Sequence, residues 1–148
     1  MSDSNTLAVY YEHPDWFRPL FAELERRAFP YVALDATRHS YDPSETETPY
    51  AVVFNRMSPS AYLRGHGNGI LYTLQYLNHL ETLGTRVING QKAFEIEISK
   101  ARQVSLLESL NLPYPKTRVI NSASLAVAAS EGLRFPIVLK ANVGGSGA

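Results

Sequence analysis

The spacing of apolar residues changes several times along the chain, and each change predicts an element. Leu7-Ala8-Val9-Tyr10-Tyr11 is a short run of strand formers, read as a buried strand closed by His13-Pro14-Asp15. Over residues 16–28 the period becomes helical. Phe17, Leu20, Phe21 and Leu24 share one face, with Glu23, Glu25, Arg26 and Arg27 opposite. Pro19 suits the first turn of that helix, and Pro30 stops it. Tyr31-Val32-Ala33-Leu34 predicts a second strand. Residues 35–49 form a polar loop, long for a compact domain and therefore a candidate for function or mobility. Tyr50-Ala51-Val52-Val53-Phe54 predicts a third strand, followed by a second polar loop through Asn68.

The strongest helical signal spans residues 69–83, where Ile70, Leu71, Leu74, Leu77, Leu80 and Leu83 make one stripe. Asn68 is the expected N-cap, and Gly84 stands where a left-handed residue ends a helix. Arg86-Val87-Ile88 is a fourth strand, turned by Asn89-Gly90. The order strand, helix, strand, strand, helix, strand implies a parallel sheet with helices on both faces. In such sheets ligands gather at the carboxyl ends of the strands. Beyond residue 90 a short amphipathic piece (91–98) precedes a helix over 100–110 with Ser99 as N-cap. Residues 117–120 are read as a strand, 123–129 as a helix, and 135–140 as a strand ending in Lys140.

Composition narrows the chemistry. Cysteine is absent, which excludes a disulfide framework, a thiolate zinc site and a cysteine nucleophile. Fourteen basic and fourteen acidic side chains give zero formal charge, so there is no electrostatic footprint for nucleic acid or an anionic membrane. With 45% apolar residues the chain is able to build a core. No apolar run reaches the length of a membrane span, and the polar start lacks the basic-then-apolar order of a signal peptide. A soluble cytoplasmic protein is the expectation. No His/Asp/Glu spacing suggests a metal site made by this chain alone.

Three features that bear on phosphate chemistry follow in order: Ser99-Lys100 opening a helix, Ile137-Val138-Leu139-Lys140, and Gly144-Gly145-Ser146-Gly147. Lysines supply mobile positive charge, and glycines let backbone N–H groups approach phosphate oxygens. Taken alone, the glycine run also reads as a flexible linker, and no Walker-type Gly-Lys-Ser/Thr follows it. After the third strand, Arg56, Ser58, Arg64 and His66 are candidates to hold a carboxylate substrate.

The run from Val87-Ile88-Asn89-Gly90 through Ser99-Lys100, Leu110-Asn111-Leu112-Pro113-Tyr114-Pro115, Phe135-Pro136-Ile137-Val138-Leu139-Lys140 and Gly144-Gly145-Ser146-Gly147 resembles the start of an ATP-grasp domain. Within that superfamily the likeness is to the glutathione-synthetase-like and ribosomal-protein glutamate ligase-like group. The resemblance implies a small Rossmann-like, parallel-sheet pre-ATP-grasp domain over 1–89, followed over 90–148 by an incomplete ATP-grasp α+β domain that stops in the glycine-rich loop. It implies that Lys100 and Lys140 approach the nucleotide, and that Gly144, Gly145, Ser146 and Gly147 cover its phosphates. Proline often follows the second lysine in the family, whereas Ala141-Asn142 follows here. ATP and Mg2+ are the implied cofactors of the whole enzyme, which would join a carboxylate to an amine on a small molecule or peptide through an acylphosphate. The metal ligands would lie outside this chain, which by itself is expected to be inactive. A homo-oligomer is compatible with this reading. The alternative is a stand-alone α/β ligand-binding or interaction module without catalysis.

Overall fold

The computed structural model describes residues 6–144. Four parallel strands, β1 (Leu7–Tyr11), β2 (Tyr31–Asp35), β3 (Val52–Arg56) and β4 (Arg86–Ile88), lie in the order β2-β1-β3-β4. The fold is α/β, as the alternation of elements implies. β1 is central, with Leu7 opposite both Tyr31 and Val52. β3 begins two residues later than the apolar run because Ala51 donates its N–H to the Thr6 carbonyl, and the ladder starts at Val52.

The period of two along β1 sends successive side chains to opposite faces. Tyr11 meets Phe17 and Phe21 on the side of α1 (Arg18–Arg26), with ring centroids 5.7 and 5.1 Å away. Tyr10 points to the other face, where its hydroxyl lies 3.2 Å from Thr73 Oγ1 of α2 (Gly67–Thr82). Burial holds the Tyr10 phenol protonated far above its ordinary range. Ile70, Tyr76, Leu77 and Leu80 of α2 complete this face of the core with Ala8 and Val53. α2 starts two residues earlier than expected. Its N-cap is His66, without a side-chain cap, and Asn68 lies inside the first turn. Gly84 takes the expected left-handed conformation at φ +75°.

The long polar segment after β2 is anchored rather than free. His39 Nδ1 is 2.9 Å from the Tyr72 hydroxyl, and Tyr41 stacks on His79 at 4.7 Å. Burial pushes the His39 imidazole below its usual range, toward the neutral form. After β4, the reciprocal bonds Asn55 Nδ2 to Asn89 O (2.9 Å) and Asn89 Nδ2 to Asn55 O (3.2 Å) fix the turn. The Glu81 carboxylate, at the end of α2, accepts from Gln91 N and caps α3 (Gln91–Glu97). α4 (Lys100–Ser109) is capped by Ser99 as expected, its Oγ accepting from Arg102 N. A short 3-10 turn, Ala123–Leu125, leads into α5 (Ala126–Ser130).

Two expected strands are not formed. Residues 117–120 and 135–140 carry no strand and pair with nothing among the described residues, and Val119, Val138 and Leu139 are exposed. Their composition suits a sheet, but a strand also needs a neighbour to complete its ladder. Among the described residues, no helix is long and apolar enough to cross a membrane.

Candidate functional site

The strand order reverses direction between β1 and β3, since the chain moves from β1 out to β2 and then returns to the other side of β1. In doubly wound sheets the crevice that receives ligands lies at the carboxyl ends of the strands at such a reversal. Glu12 follows β1 directly into it. The segment after β3 enters from the other side as a 3-10 turn, Pro59–Arg64, which periodicity does not reveal because a single such turn carries no repeat. Ser58 caps this turn by accepting from Ser60 N, so its hydroxyl serves the backbone.

Arg64 and His66 both reach Glu12. Arg64 Nε lies 2.8 and 3.1 Å from the two carboxylate oxygens, and its Nη2 completes a two-pronged grip on Oε2. His66 Nδ1 is 2.6 Å from Oε1. The Glu12 side chain is 1% exposed, against 23% for Arg64 and 41% for His66. Burial alone would raise the Glu12 pKa. The bonds from Arg64 and His66 outweigh it and hold the carboxyl below its usual range. Arg64 also lies 5.6 Å from the centre of the Trp16 ring, which in turn stacks on His13. Two of the four carboxylate-holding candidates are thus already engaged by an acid of the chain itself. Arg56 stands apart, over the Phe17 and Phe54 rings at 5.6 and 5.5 Å. Glu12 is the residue missed from sequence. Its position one step beyond a buried strand, at the mouth of a parallel sheet, was the available signal.

The lysine and glycine features meet in part. Lys100 Nζ donates to the Gly144 carbonyl at 3.1 Å, across 44 positions of sequence. Asn142 reinforces this junction. Its carbonyl accepts from Lys100 N at 3.1 Å, and its side-chain Oδ1 accepts from Ala101 N at 2.9 Å and from the Ser99 hydroxyl at 3.2 Å. Gly144 has φ +145° and lies under Tyr62. A Cβ at that position would stand 3.2 Å from the Tyr62 hydroxyl, so both backbone and space favour glycine. Tyr62 belongs to the same 3-10 turn as Arg64, which brings the glycine segment beside the crevice. Lys140 is exposed and outside any strand, so the expected lysine at the end of a buried strand is absent. Gly145, Ser146 and Gly147 lie outside the described residues. A cleft of about 530 Å3 lies elsewhere, lined by Glu108, Tyr114, Lys116 and Arg118 at the far end of α4. It holds none of the candidate residues.

Among the described residues, no three His, Asp or Glu side chains gather as metal ligands.

No family model matches the chain. The coenzyme gamma-F420-2:alpha-L-glutamate ligase of Methanocaldococcus jannaschii is 38% identical over 72 residues, covering 47% of this chain and 25% of that protein. Among solved structures, a RimK domain ATP-grasp protein from Sphaerobacter thermophilus superposes with a TM-score of 0.69 at 18% identity, covering 93% of this chain and 49% of that one. The ATP-grasp ligase PsnB, solved with the precursor peptide PsnA2 and AMPPNP, gives a TM-score of 0.55 at 18% identity, covering 87% of this chain and 52% of its own. The chain spans a quarter of the length of the curated relative and about half of each solved structure.

Proposed function

We propose that this chain, which shares the fold of the ATP-grasp ligases, contributes the entry half of an ATP-dependent carboxylate–amine ligase. The observation that carries the reading is the meeting of Lys100 with Gly144. An ammonium and the root of a glycine-rich run, distant in sequence, are brought together at the start of a helix. This is the equipment that a polyphosphate needs: mobile positive charge beside backbone able to approach closely. Lys140 stands four residues before Gly144 and is exposed, free to turn toward the same anion.

In this reading ATP supplies the phosphoryl group that activates a carboxylate, and an amine then displaces it to form a C–N bond. The chain's own part is to bind and orient. Lys100 and Lys140 neutralise phosphate charge, the 144–147 run covers it, and the crevice between β1 and β3 receives one substrate. Arg64 and His66 shape that crevice through Glu12, which already engages both. Arg56, set on the aromatic rings beside it, is the cation available for a substrate carboxylate. The F420 relative is named a glutamate ligase and PsnB was solved in complex with a precursor peptide, which supports a small-molecule or peptide carboxylate as partner here. Magnesium would be held by residues other than those described.

The test is ATP binding by the protein expressed from the whole reading frame that carries this chain. Lys100→Ala and Lys140→Ala are each expected to raise the Kd for ATP about tenfold or more, the scale of a lost charge-assisted contact. Unchanged affinity in both variants would sink the assignment. The 148-residue chain alone is expected to bind ATP only weakly.

A further inference from the structure

We propose that Asn142 is a positioning residue that latches the stem of the glycine run to the first turn of α4, and so holds the Lys100 ammonium at the Gly144 carbonyl until a polyphosphate takes it over. The inference rests on the nucleotide reading for its purpose, but its geometry stands independently. The first N–H groups of a helix have no partner within the helix. Here Ser99 serves Arg102 N, while Asn142 serves the two before it, Lys100 N through its main chain and Ala101 N through its side chain. The Ser99 hydroxyl, accepting from Arg102, donates its own proton to the same Asn142 oxygen. One residue thus joins a helix start to a segment more than forty positions away.

The consequence falls on Lys100. A lysine in the first turn of an isolated helix is a freely moving, fully solvated cation. With residue 142 fixed, Gly144 is only two residues further on, and its carbonyl comes within reach of Nζ. Tyr62 closes the other side of Gly144. A neutral carbonyl is a weaker partner for an ammonium than a phosphate oxygen is. The parked bond is therefore one that a polyphosphate displaces without moving Asn142.

The experiment is residue-resolved acetylation of lysines in the full 148-residue chain, read by mass spectrometry, with exposed Lys92 as internal reference. In the unchanged protein Lys100 should react more slowly than Lys92. Asn142→Ala should raise the Lys100 rate about fivefold, the scale of one lost neutral hydrogen bond, and leave Lys92 unchanged. Asn142→Asp keeps the acceptor and should keep Lys100 slow. Equal Lys100 rates in the unchanged protein and Asn142→Ala would overturn the latch. Should Asn142→Ala not fold, Asn142→Asp decides, since a fast Lys100 there is equally fatal. A second arm adds millimolar inorganic tripolyphosphate, which should slow Lys100 further in the unchanged protein. If it does not, while Asn142→Ala still frees Lys100, the latch stands and the phosphate reading fails.

Discussion

The chain up to Phe94 and the chain beyond it hold comparable proportions of apolar residues and treat them differently. In the first region β1 and β3 contribute fully buried Val9, Tyr10 and Val53, and α2 contributes Leu77. Beyond Phe94 no described residue is buried. Val119, Val127, Phe135, Val138 and Leu139 are all more than 60% exposed. What holds this second region is a set of polar ties: Tyr114 to Glu108, Lys116 Nζ to the Gly132 carbonyl, and Asn142 to the start of α4. A parallel sheet with a helix on each face closes its own core. The later segments have the sequence of strands but join no sheet among the described residues. Exposed apolar area on this scale marks a surface that awaits a cover, consistent with a chain spanning half of the structures it resembles.

The sharpest way to break this contrast is to cut a cavity on each side of it. Leu77→Ala, at a fully buried position, should cost about 2–5 kcal/mol in urea denaturation. Val138→Ala, at 77% exposure, should change stability by less than about 0.5 kcal/mol. A similar loss from both would mean that the second region is covered after all, for instance by a second copy. Glu12→Gln comes next in size. It leaves Arg64 and His66 facing a neutral partner, with an expected loss of about 1–3 kcal/mol at pH 7. Because the folded pKa of Glu12 is lowered, its contribution is complete above the unfolded value of about 4.3 and is lost as pH falls through the folded one. The unchanged chain should therefore lose stability more steeply than Glu12→Gln on acidification from pH 5, and parallel acid limbs in the two proteins would count against the cluster. The finest comparison is amide exchange. Amides of β1 and β3 should be protected well beyond those after Lys100, and uniform protection across both regions in a proven monomer would erase the distinction.

How much of this was legible in the sequence follows the same divide. β1, β2, β4 and α2 announced themselves because their apolar periods answer to contacts made within the chain, and α4 through its Ser99 cap, though none of its residues is buried. The 3-10 turn at Pro59–Arg64 was hidden by its length. The strands expected at 117–120 and 135–140 failed for a different reason: strand propensity describes what a segment is fit for, and pairing depends on what lies beside it. At the site, Lys100 and Gly144 were legible as residue types, and their contact was not. The agent of that contact, Asn142, sits in a dipeptide that looked like a mere departure from a pattern. Glu12 was overlooked because a single acid after a strand carries no periodic signal. Its two partners, more than fifty residues downstream, were singled out for a role that Glu12 has already taken up.

The central place of β1 also sets a timetable for synthesis. Its outer neighbour β2 emerges soon after it, but β3, which closes its other edge, ends about 45 residues after β1 does. At about 5–20 residues per second on the ribosome, Leu7–Tyr11 is made and then waits on the order of 2–9 s for the partner that seals it. During that interval a strand of five apolar and aromatic residues has one open edge. The nascent chain is therefore most vulnerable to mispairing before Arg56 has left the tunnel, well before Lys100, Lys140 and Gly144 exist.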